Sequence, residues 1–133
     1  MFFFLYYSQA RKDGYITTLC GRRRYVPDIL SDDFRKRSAA ERMAVNTVIQ
    51  GTASDILKIA MIEVKDKLSS FPGAQLIMAV HDELIFEIPD SIDRRRFFEV
   101  INECMCISVA RKFRLTVPLV INFECGDNWG SMQ

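Results

Sequence analysis

Two adjacent carboxylates are the residues whose types and spacing most directly suggest chemistry in this sequence. Asp82 and Glu83 follow His81, and runs rich in apolar and β-branched residues lie on both sides. This pattern predicts a tight β-hairpin over residues 75–88 with the polar residues at its turn. Because neighbouring carboxylates repel one another, a bound cation would stabilise them, which suggests a magnesium site for phosphoryl transfer. The alternative is a solvated hairpin tip, since turns are commonly polar.

A row of hydrogen-bond donors at helical spacing is the second informative feature. Arg42, Asn46 and Gln50 are four residues apart, so they lie along one face of a helix. The minor-groove edge of every Watson–Crick base pair offers acceptors, which such a row can contact whatever the base sequence. A mispair displaces these acceptors, so the row would test the geometry of the pair. The alternative is the ordinary polar face of a surface helix.

Basic residues cluster early in the chain, although the formal net charge is only +1. Residues 22–24 are all Arg, and residues 35–37 are Arg-Lys-Arg, both within a predicted basic loop region over residues 10–37. Beside nucleic acid, such clusters neutralise phosphates and position a duplex without reading its sequence. The alternative is a solvated charged surface.

The donor row requires a long helix, which the sequence predicts over residues 38–69. Ser38 and Glu41 match a capping box and predict its start. Gly51 is expected to interrupt the helix. Thr52 is then expected to act as the N-cap of a new helix, with Asp55 at its third position. The expected core face of its first part comprises Ala40, Met43, Ala44 and Val48.

The remaining elements predict an α+β fold, in which helices cover a small antiparallel sheet. A helix is expected to end at Gly14, followed by a strand at residues 15–19. The last segment, residues 91–130, is predicted to contain a helix from Ile92 to about Phe113 and an edge strand at residues 115–123, which would join the hairpin's sheet. The expected inward residues of that helix are Phe97, Val100, Ile101, Cys104 and Ile107.

Length, hydrophobic content and cysteine spacing narrow the class of protein. With 133 residues, the chain is one domain or part of one, and 49% of its residues are hydrophobic. The four cysteines do not have zinc-site spacing, which favours reduced thiols and an intracellular protein. The apolar residues 1–7 are too few to span a bilayer, so no membrane partner is expected.

Several short motifs follow one another along the chain in a definite order and spacing. They are Asp-Gly-Tyr at 13–15, Thr-Thr-Leu at 17–19, Gly-Arg-Arg-Arg-Tyr-Val-Pro-Asp at 21–28, Ala-Glu-Arg at 40–42 with Asn46, Ile-Gln-Gly-Thr-Ala at 49–53, Val-His-Asp-Glu-Leu at 80–84 and Asn-Trp at 128–129. In combination, these motifs resemble the C-terminal part of family A DNA polymerases, the group typified by bacterial DNA polymerase I. The resemblance extends from about residue 10 to 130, and residues 1–9 form an atypical start. The basic loop and residues 49–60 also resemble the theta-type branch, which would imply a nuclear protein.

The resemblance implies a role for each matching residue, and half of a polymerase palm as the fold. Asp82 matches the palm aspartate that binds catalytic Mg²⁺, Glu83 its acidic neighbour, and His81 the histidine near the primer terminus. The partners implied are primer–template DNA and, in the complete enzyme, deoxynucleoside triphosphates. The residues implied to contact DNA are Arg42, Asn46, Gln50, His81, Arg22 and Arg23.

The same resemblance implies that catalysis needs groups outside these 133 residues. Two-metal phosphoryl transfer uses carboxylates from neighbouring strands. In the family, the second aspartate and a helix that binds the nucleotide triphosphate lie upstream of the matching segments. The chain alone is therefore expected to be inactive. The alternatives are a non-catalytic primer–template-binding module left by truncation and a truncated gene model. A His-Asp hydrolase is disfavoured because no nucleophile is marked.

Overall fold

The computed structural model describes residues 2–132, with only the backbone described for residues 2–4. These residues form two compact units, one up to Ile56 and one from Leu57 onward. Each unit contains helices and one two-stranded antiparallel sheet. The expected α+β class with small antiparallel sheets is therefore confirmed.

The first unit is built from a helix, a short hairpin and the first part of a long helix. As predicted, the first helix ends at Gly14, whose φ of +72° is left-handed and whose N–H donates to the Ala10 carbonyl at 2.9 Å. In the hairpin, Ile16 lies opposite Arg24. The elements are α1 (Phe2–Asp13), β1 (Tyr15–Thr17), β2 (Arg23–Tyr25), a 3₁₀ turn (Pro27–Leu30) and α2 (Phe34–Leu68).

The core of the first unit is small and aliphatic. Ile16 from β1 and Ile29 from the 3₁₀ turn are almost fully buried. They form one cluster with buried residues from one face of α2. Met43, expected in this core, is instead 39% exposed. The members of this core cluster are Ala10, Ile16, Val26, Ile29, Ala40, Ala44 and Val48.

The sequence prediction for the start of α2 was wrong. The helix begins at Phe34, because the Asp33 carboxylate accepts hydrogen bonds from the backbone N–H of Arg35 (2.8 Å) and of Lys36 (3.5 Å). Ser38 lies inside the helix, where its hydroxyl accepts from the Arg42 guanidinium. Glu41 pairs with Arg11 at 2.7 Å and so does not complete a capping box.

The predicted interruption at Gly51 was also wrong, since α2 is continuous for 35 residues. Thr52 does not restart the helix as a cap. Its hydroxyl accepts from the backbone N–H of Leu19 at 3.2 Å. The polar residues at this point of α2 therefore bind the β1–β2 turn.

The second unit contains the predicted hairpin and a C-terminal helical segment. Val80 pairs with Glu83, so the turn consists of His81 and Asp82, and the ladder is irregular between Leu76 and Met78. Phe97, 2% exposed, packs edge-on against three other phenylalanine rings, those of Phe71, Phe86 and Phe98. The elements are β3 (Gln75–Val80), β4 (Glu83–Glu87), α3 (Arg94–Asn102), a π-helical turn (Glu103–Ser108), α4 (Val109–Phe113) and a 3₁₀ turn (Trp129–Ser131).

The π-helical turn changes which residues of this helical segment face the core. An i→i+5 turn shifts the phase of the helix, so a simple 3.6-residue period fails beyond it. Cys106 and Val109 are consequently buried, whereas Ile107, expected to face inward, is 43% exposed. The segment begins at Arg94, because Asp93 is the N-cap and its carboxylate accepts from two backbone N–H groups of the first turn.

The predicted last strand is absent from the described chain. Residues 115–123 form no ladder with another described segment, so the hairpin's sheet has two strands only. Ile121 still packs against the core of the second unit. No helix within residues 2–132 has the length and apolarity that crossing a bilayer requires.

Candidate nucleic-acid interface

A buried polar network attaches the β1–β2 turn to α2 in the first unit. The Asp55 carboxylate accepts from the Thr18 hydroxyl at 2.6 Å and from Nε of Arg22 at 2.8 Å. The same guanidinium donates to the Gly51 carbonyl at 2.9 Å. Asp55 is only 8% exposed, so its charge is compensated by two donors instead of water. The turn is thereby fixed on α2 by side chains from both elements.

Gly51 allows the turn to approach this closely. A Cβ atom at position 51 would lie 2.7 Å from Cγ2 of Thr18 and 3.4 Å from a guanidinium nitrogen of Arg22. The first separation is shorter than carbon atoms tolerate without displacement. The glycine that suggested a broken helix is therefore explained by a close tertiary contact.

The predicted donor row lies on the solvent-exposed surface of α2. Arg42, Asn46 and Gln50 are all exposed. One guanidinium nitrogen of Arg42 donates to Ser38 at 2.9 Å. Within residues 2–132, the amides of Asn46 and Gln50 form no hydrogen bond to another side chain or to the backbone. These amide donors are therefore available to a ligand.

Two members of the donor row, Asn46 and Gln50, line a polar cleft of about 320 Å³ together with arginines of the β1–β2 hairpin. Arg22 lies at its rim in an ion pair with Asp55, whereas Arg24 has no ion pair within the described part of the chain. The cleft thus presents guanidinium and amide donors, which suit phosphate oxygens and the acceptors of bases. Its lining residues are Arg22, Arg24, Met43, Asn46, Thr47, Gln50 and Gly51.

Arg23 has a different environment from its two neighbours. Its guanidinium lies 4.8 Å from the ring centroid of Tyr15, which itself packs edge-on against Tyr25. Side chains alternate across a strand, so Arg23 and Arg24 point to opposite faces of β2. Arg23 is exposed but does not line the cleft.

The hairpin turn of the second unit holds the candidate metal ligands. His81, Asp82 and Glu83 are all exposed. His81 has a φ of +55°, a left-handed conformation that a tight two-residue turn can require. Ile85 is 8% exposed and anchors β4 in the core. The two carboxylates therefore reach solvent from a well-anchored hairpin.

These carboxylates do not form a complete metal site among the described residues. No group of three or more His, Cys, Asp or Glu side chains within residues 2–132 could hold a metal ion together. A magnesium ion needs only one or two protein carboxylates when phosphate oxygens and water supply its other ligands. Asp82 and Glu83 fit such a partial site.

A larger cleft in the second unit has a different chemical character. It has a volume of about 660 Å³ and its surface is mainly apolar, with Lys58 and Lys65 as its charged lining residues. It contains none of the predicted site residues. The polar cleft of the first unit and the hairpin turn are therefore the better candidates for function.

The comparisons with known proteins define the family of this chain. The model of DNA polymerase family A matches residues 2–131. DNA polymerase I of Treponema pallidum is 44% identical over 127 residues, and that of Bacillus caldotenax is 45% identical over 123 residues. These alignments cover 95% and 92% of this chain. The chain belongs to DNA polymerase family A.

A solved structure gives the same result for the fold. The POL domain of Pol1 from M. smegmatis, in complex with DNA primer-template and dNTP, matches 90% of this chain with a TM-score of 0.78 and 38% identity. The chain covers 20% of that structure, and 12% and 14% of the two polymerases I. It is therefore similar to a small part of each of these proteins.

The comparisons bear on two further details of the sequence interpretation without confirming them. The family match begins at residue 2, so it includes most of the segment that we expected to be atypical. The polymerases I of T. pallidum and B. caldotenax are bacterial, and they do not support the theta-type branch or the nuclear location that depended on it.

Sequence reasoning missed the residues that hold the cleft together. The sequence presents Thr18 only as part of a motif and Asp55 only as part of a helix cap, although the two side chains are hydrogen-bonded across 37 residues. Nothing in the sequence distinguishes Arg24, which lines the cleft, from the rest of its cluster. Pairs so distant in sequence have no local pattern, so a single sequence contains no direct signal for them.

Proposed function

We propose that this chain takes part in template-directed DNA synthesis as the C-terminal part of a family A DNA polymerase. The reaction is nucleotidyl transfer to a primer 3′-hydroxyl, with deoxynucleoside triphosphates as substrates of the complete enzyme. The observation that carries the proposal is the exposed row of Arg42, Asn46 and Gln50 beside the polar cleft. Family membership and the similarity to a polymerase solved with primer-template and dNTP support it.

The donor row is proposed to contact the minor groove of the primer–template. Amide and guanidinium donors match the N3 and O2 acceptors that every correct base pair presents there. Because these acceptors occupy nearly the same positions in all correct pairs, contact with them stabilises correct geometry without selecting a sequence. Arg22 and Arg23 are proposed to contact the duplex nearby, and His81 the region of the primer terminus.

Asp82 is proposed as a carboxylate ligand of catalytic Mg²⁺, with Glu83 as its acidic neighbour. Both side chains are exposed at the hairpin turn, where a phosphate-bearing ligand can reach them. Bound Mg²⁺ would neutralise charge on the nucleotide phosphates. The role of this hairpin is to hold the carboxylates in position from a buried β4 anchor.

The metal proposal can be tested without catalysis. Mn²⁺ added to the chain in complex with primer–template DNA should broaden the NMR signals of residues 81–83, because a bound paramagnetic ion relaxes nearby nuclei. The Asp82→Asn variant should lose this broadening, whereas Asp90→Asn, a change at another exposed carboxylate of the same unit, should retain it. Equal broadening in wild type and Asp82→Asn would refute the assignment of Asp82.

We also propose that the 133-residue chain does not incorporate nucleotides by itself. Other acidic residues are unsuited to complete the metal site: Asp55, for example, is buried and paired with Arg22. The test is primer extension by the purified chain with Mg²⁺ and all four nucleotides. Measurable extension that depends on Asp82 would show that the chain contains a sufficient active site and would refute this proposal.

The second candidate function is a non-catalytic module that binds primer–template DNA. The observation in its favour is that the donor row and polar cleft belong to the first unit, which contains none of the hairpin carboxylates. Such a module would bind DNA in a salt-dependent manner without magnesium. This alternative would be favoured if the wild-type chain binds DNA but Mn²⁺ does not broaden the NMR signals of residues 81–83.

An intracellular location is proposed on the basis of the cysteines. Cys20, Cys104, Cys106 and Cys125 are all thiols that take part in no disulfide. Cysteines that remain as thiols are typical of reducing compartments. Mass measurement of the protein alkylated in cell lysate under denaturing, non-reducing conditions should find four modified cysteines, whereas a disulfide in the native protein would contradict the proposal.

A further inference from the structure

Asp55 lies on α2, and its carboxylate forms hydrogen bonds to two residues of the β1–β2 turn. Through Thr18 it holds the start of the β1–β2 turn, and through Arg22 it holds the end of the same turn. The Thr18 hydroxyl also accepts from the backbone N–H of Arg22 at 3.2 Å, which closes the turn on itself. The carboxylate is thus the common partner of both ends of the turn.

We propose that Asp55 is a positioning residue for the polar cleft: by holding Thr18 and Arg22, it keeps the β1–β2 turn on α2 so that the cleft is formed before DNA binds. The inference rests on the proposed function, because it assigns the cleft to the primer–template. Asp55 itself is buried and need not touch the DNA.

The arrangement of Arg22 explains why such a residue is needed. Its side chain is 51% exposed, yet two of its nitrogens are used by Asp55 and the Gly51 carbonyl. A long exposed side chain without such bonds samples many rotamers, and ordering it at binding costs free energy. Arg22 is instead fixed at the cleft rim with its remaining N–H groups free to face a ligand.

The sign of one mutational effect separates positioning from simple electrostatics. Removing the negative charge of Asp55 makes the cleft more positive, which by Coulomb attraction alone would strengthen DNA binding. The positioning role has the opposite consequence, because Arg22 and the turn lose their fixed geometry. Asp55→Asn, which nearly conserves volume, is therefore expected to weaken binding.

Hydrogen exchange in the free protein tests the positioning directly. Asp55→Asn should accelerate exchange of two backbone amides of the turn: that of Leu19, which donates to the Thr52 hydroxyl of α2, and that of Arg22, which donates to the Thr18 hydroxyl. Glu41→Gln is the matched control, because it removes another short ion pair from α2 of the same unit. It should leave exchange at these two amides unchanged. Unchanged exchange in Asp55→Asn would overturn the inference.

A double-mutant cycle with DNA tests whether Asp55 acts through Arg22. Asp55→Asn is expected to weaken primer–template affinity roughly tenfold, as for the loss of a pre-ordered side chain and turn. In an Arg22→Gln background the same change should have a clearly smaller effect, about threefold or less, since only the bond between Asp55 and Thr18 is then left to lose. Wild-type or tighter binding by Asp55→Asn, or a full tenfold loss in both backgrounds, would overturn the inference.

Two other outcomes are an unfolded Asp55→Asn variant and a wild-type chain that does not bind DNA, and each still allows a test of the inference. If circular dichroism shows that Asp55→Asn is unfolded, Arg22→Lys replaces it, because Lys keeps the charge but cannot form the forked contacts. It should show the same faster exchange and weaker binding, and wild-type behaviour would overturn the inference. If the folded wild-type chain does not bind DNA, the proposed function fails, while the exchange experiment still decides whether Asp55 preforms the cleft.

Discussion

Replacing Gly51 by Ala should destabilise this protein, although the same change normally stabilises a helix. In an ordinary helix interior, Ala is more favourable than Gly by about 1 kcal/mol. Here the added Cβ would lie 2.7 Å from Cγ2 of Thr18, so the turn or the helix must move. Overpacking of this kind costs about 1–3 kcal/mol, which leaves a net destabilisation of up to ~2 kcal/mol.

A second substitution isolates the cause of this effect. Thr18→Ser removes Cγ2 and keeps the hydroxyl that donates to Asp55. The next neighbours of the added Cβ are then 3.4 Å and 3.7 Å away, distances that a small adjustment relieves. In the Thr18→Ser background, Gly51→Ala should therefore become neutral or stabilise the protein by up to about 1 kcal/mol.

Urea denaturation of all four proteins, followed by circular dichroism at a helical wavelength, measures these free energies of unfolding. Thermal unfolding gives a second measure, with roughly 3–5 °C expected per kcal/mol for a chain of this size. The expected coupling between positions 18 and 51 is about 1–3 kcal/mol. If Gly51→Ala stabilises the protein equally in both backgrounds, the close approach of the turn to α2 is not what requires glycine.

Two further substitutions test the core of the second unit and the donor row, and a thiol reagent tests the burial of the cysteines. Phe97→Ala should lower the free energy of unfolding by about 3–5 kcal/mol because it empties a buried ring cluster, whereas Phe34→Ala, at a side chain that is 72% exposed, should change it by less than about 0.5 kcal/mol in urea denaturation. Asn46→Ala should weaken primer–template binding by about 1 kcal/mol and reduce the preference for a matched over a mismatched primer end, measured as a ratio of dissociation constants; an unchanged ratio would argue against geometric testing. Burial raises the pKa of the Cys104 thiol, with a further rise from Glu63, and burial likewise raises the pKa of the Cys106 thiol. Because the thiolate is the reactive form, these two should react with a thiol reagent near pH 8 more slowly than the exposed cysteines, and equal rates for all four would contradict their burial.

The features that sequence predicted well are those with a local physical cause. The hairpin follows from two apolar runs around a short polar turn, and its pairing of Val80 with Glu83 needs no distant residue. The exposed donor row follows from a four-residue spacing on one helix. Both patterns constrain the backbone within a few residues, so one sequence suffices to read them.

The features that sequence missed depend on contacts between distant residues. Ser38 and Asp33 are both acceptable N-caps, and the local rule cannot choose between them. Gly51 is a helix breaker by propensity, but a tertiary contact with Thr18 explains it inside a continuous helix. The exposure of Ile107 depends on a π-helical turn, for which the period of apolar residues gives no warning.

The predicted strand at residues 115–123 failed for a related reason. Its composition suits a strand, yet strand formation requires a partner that supplies hydrogen bonds, and no segment within residues 2–132 pairs with it. Composition reports the preference of a segment and not the presence of its partner. The same limit applies to Asp55, because its partners Thr18 and Arg22 lie 37 and 33 residues away in the sequence.

The most direct test of the central claim is the affinity of the chain for primer–template DNA with and without its donor row. Fluorescence anisotropy would compare wild type with the triple variant Arg42→Ala, Asn46→Ala and Gln50→Ala, after circular dichroism has shown that both are folded. If the row contacts the minor groove, the wild type binds in a salt-dependent manner and the variant loses at least about tenfold in affinity. Equal dissociation constants for the two proteins would contradict the assignment of this face to DNA.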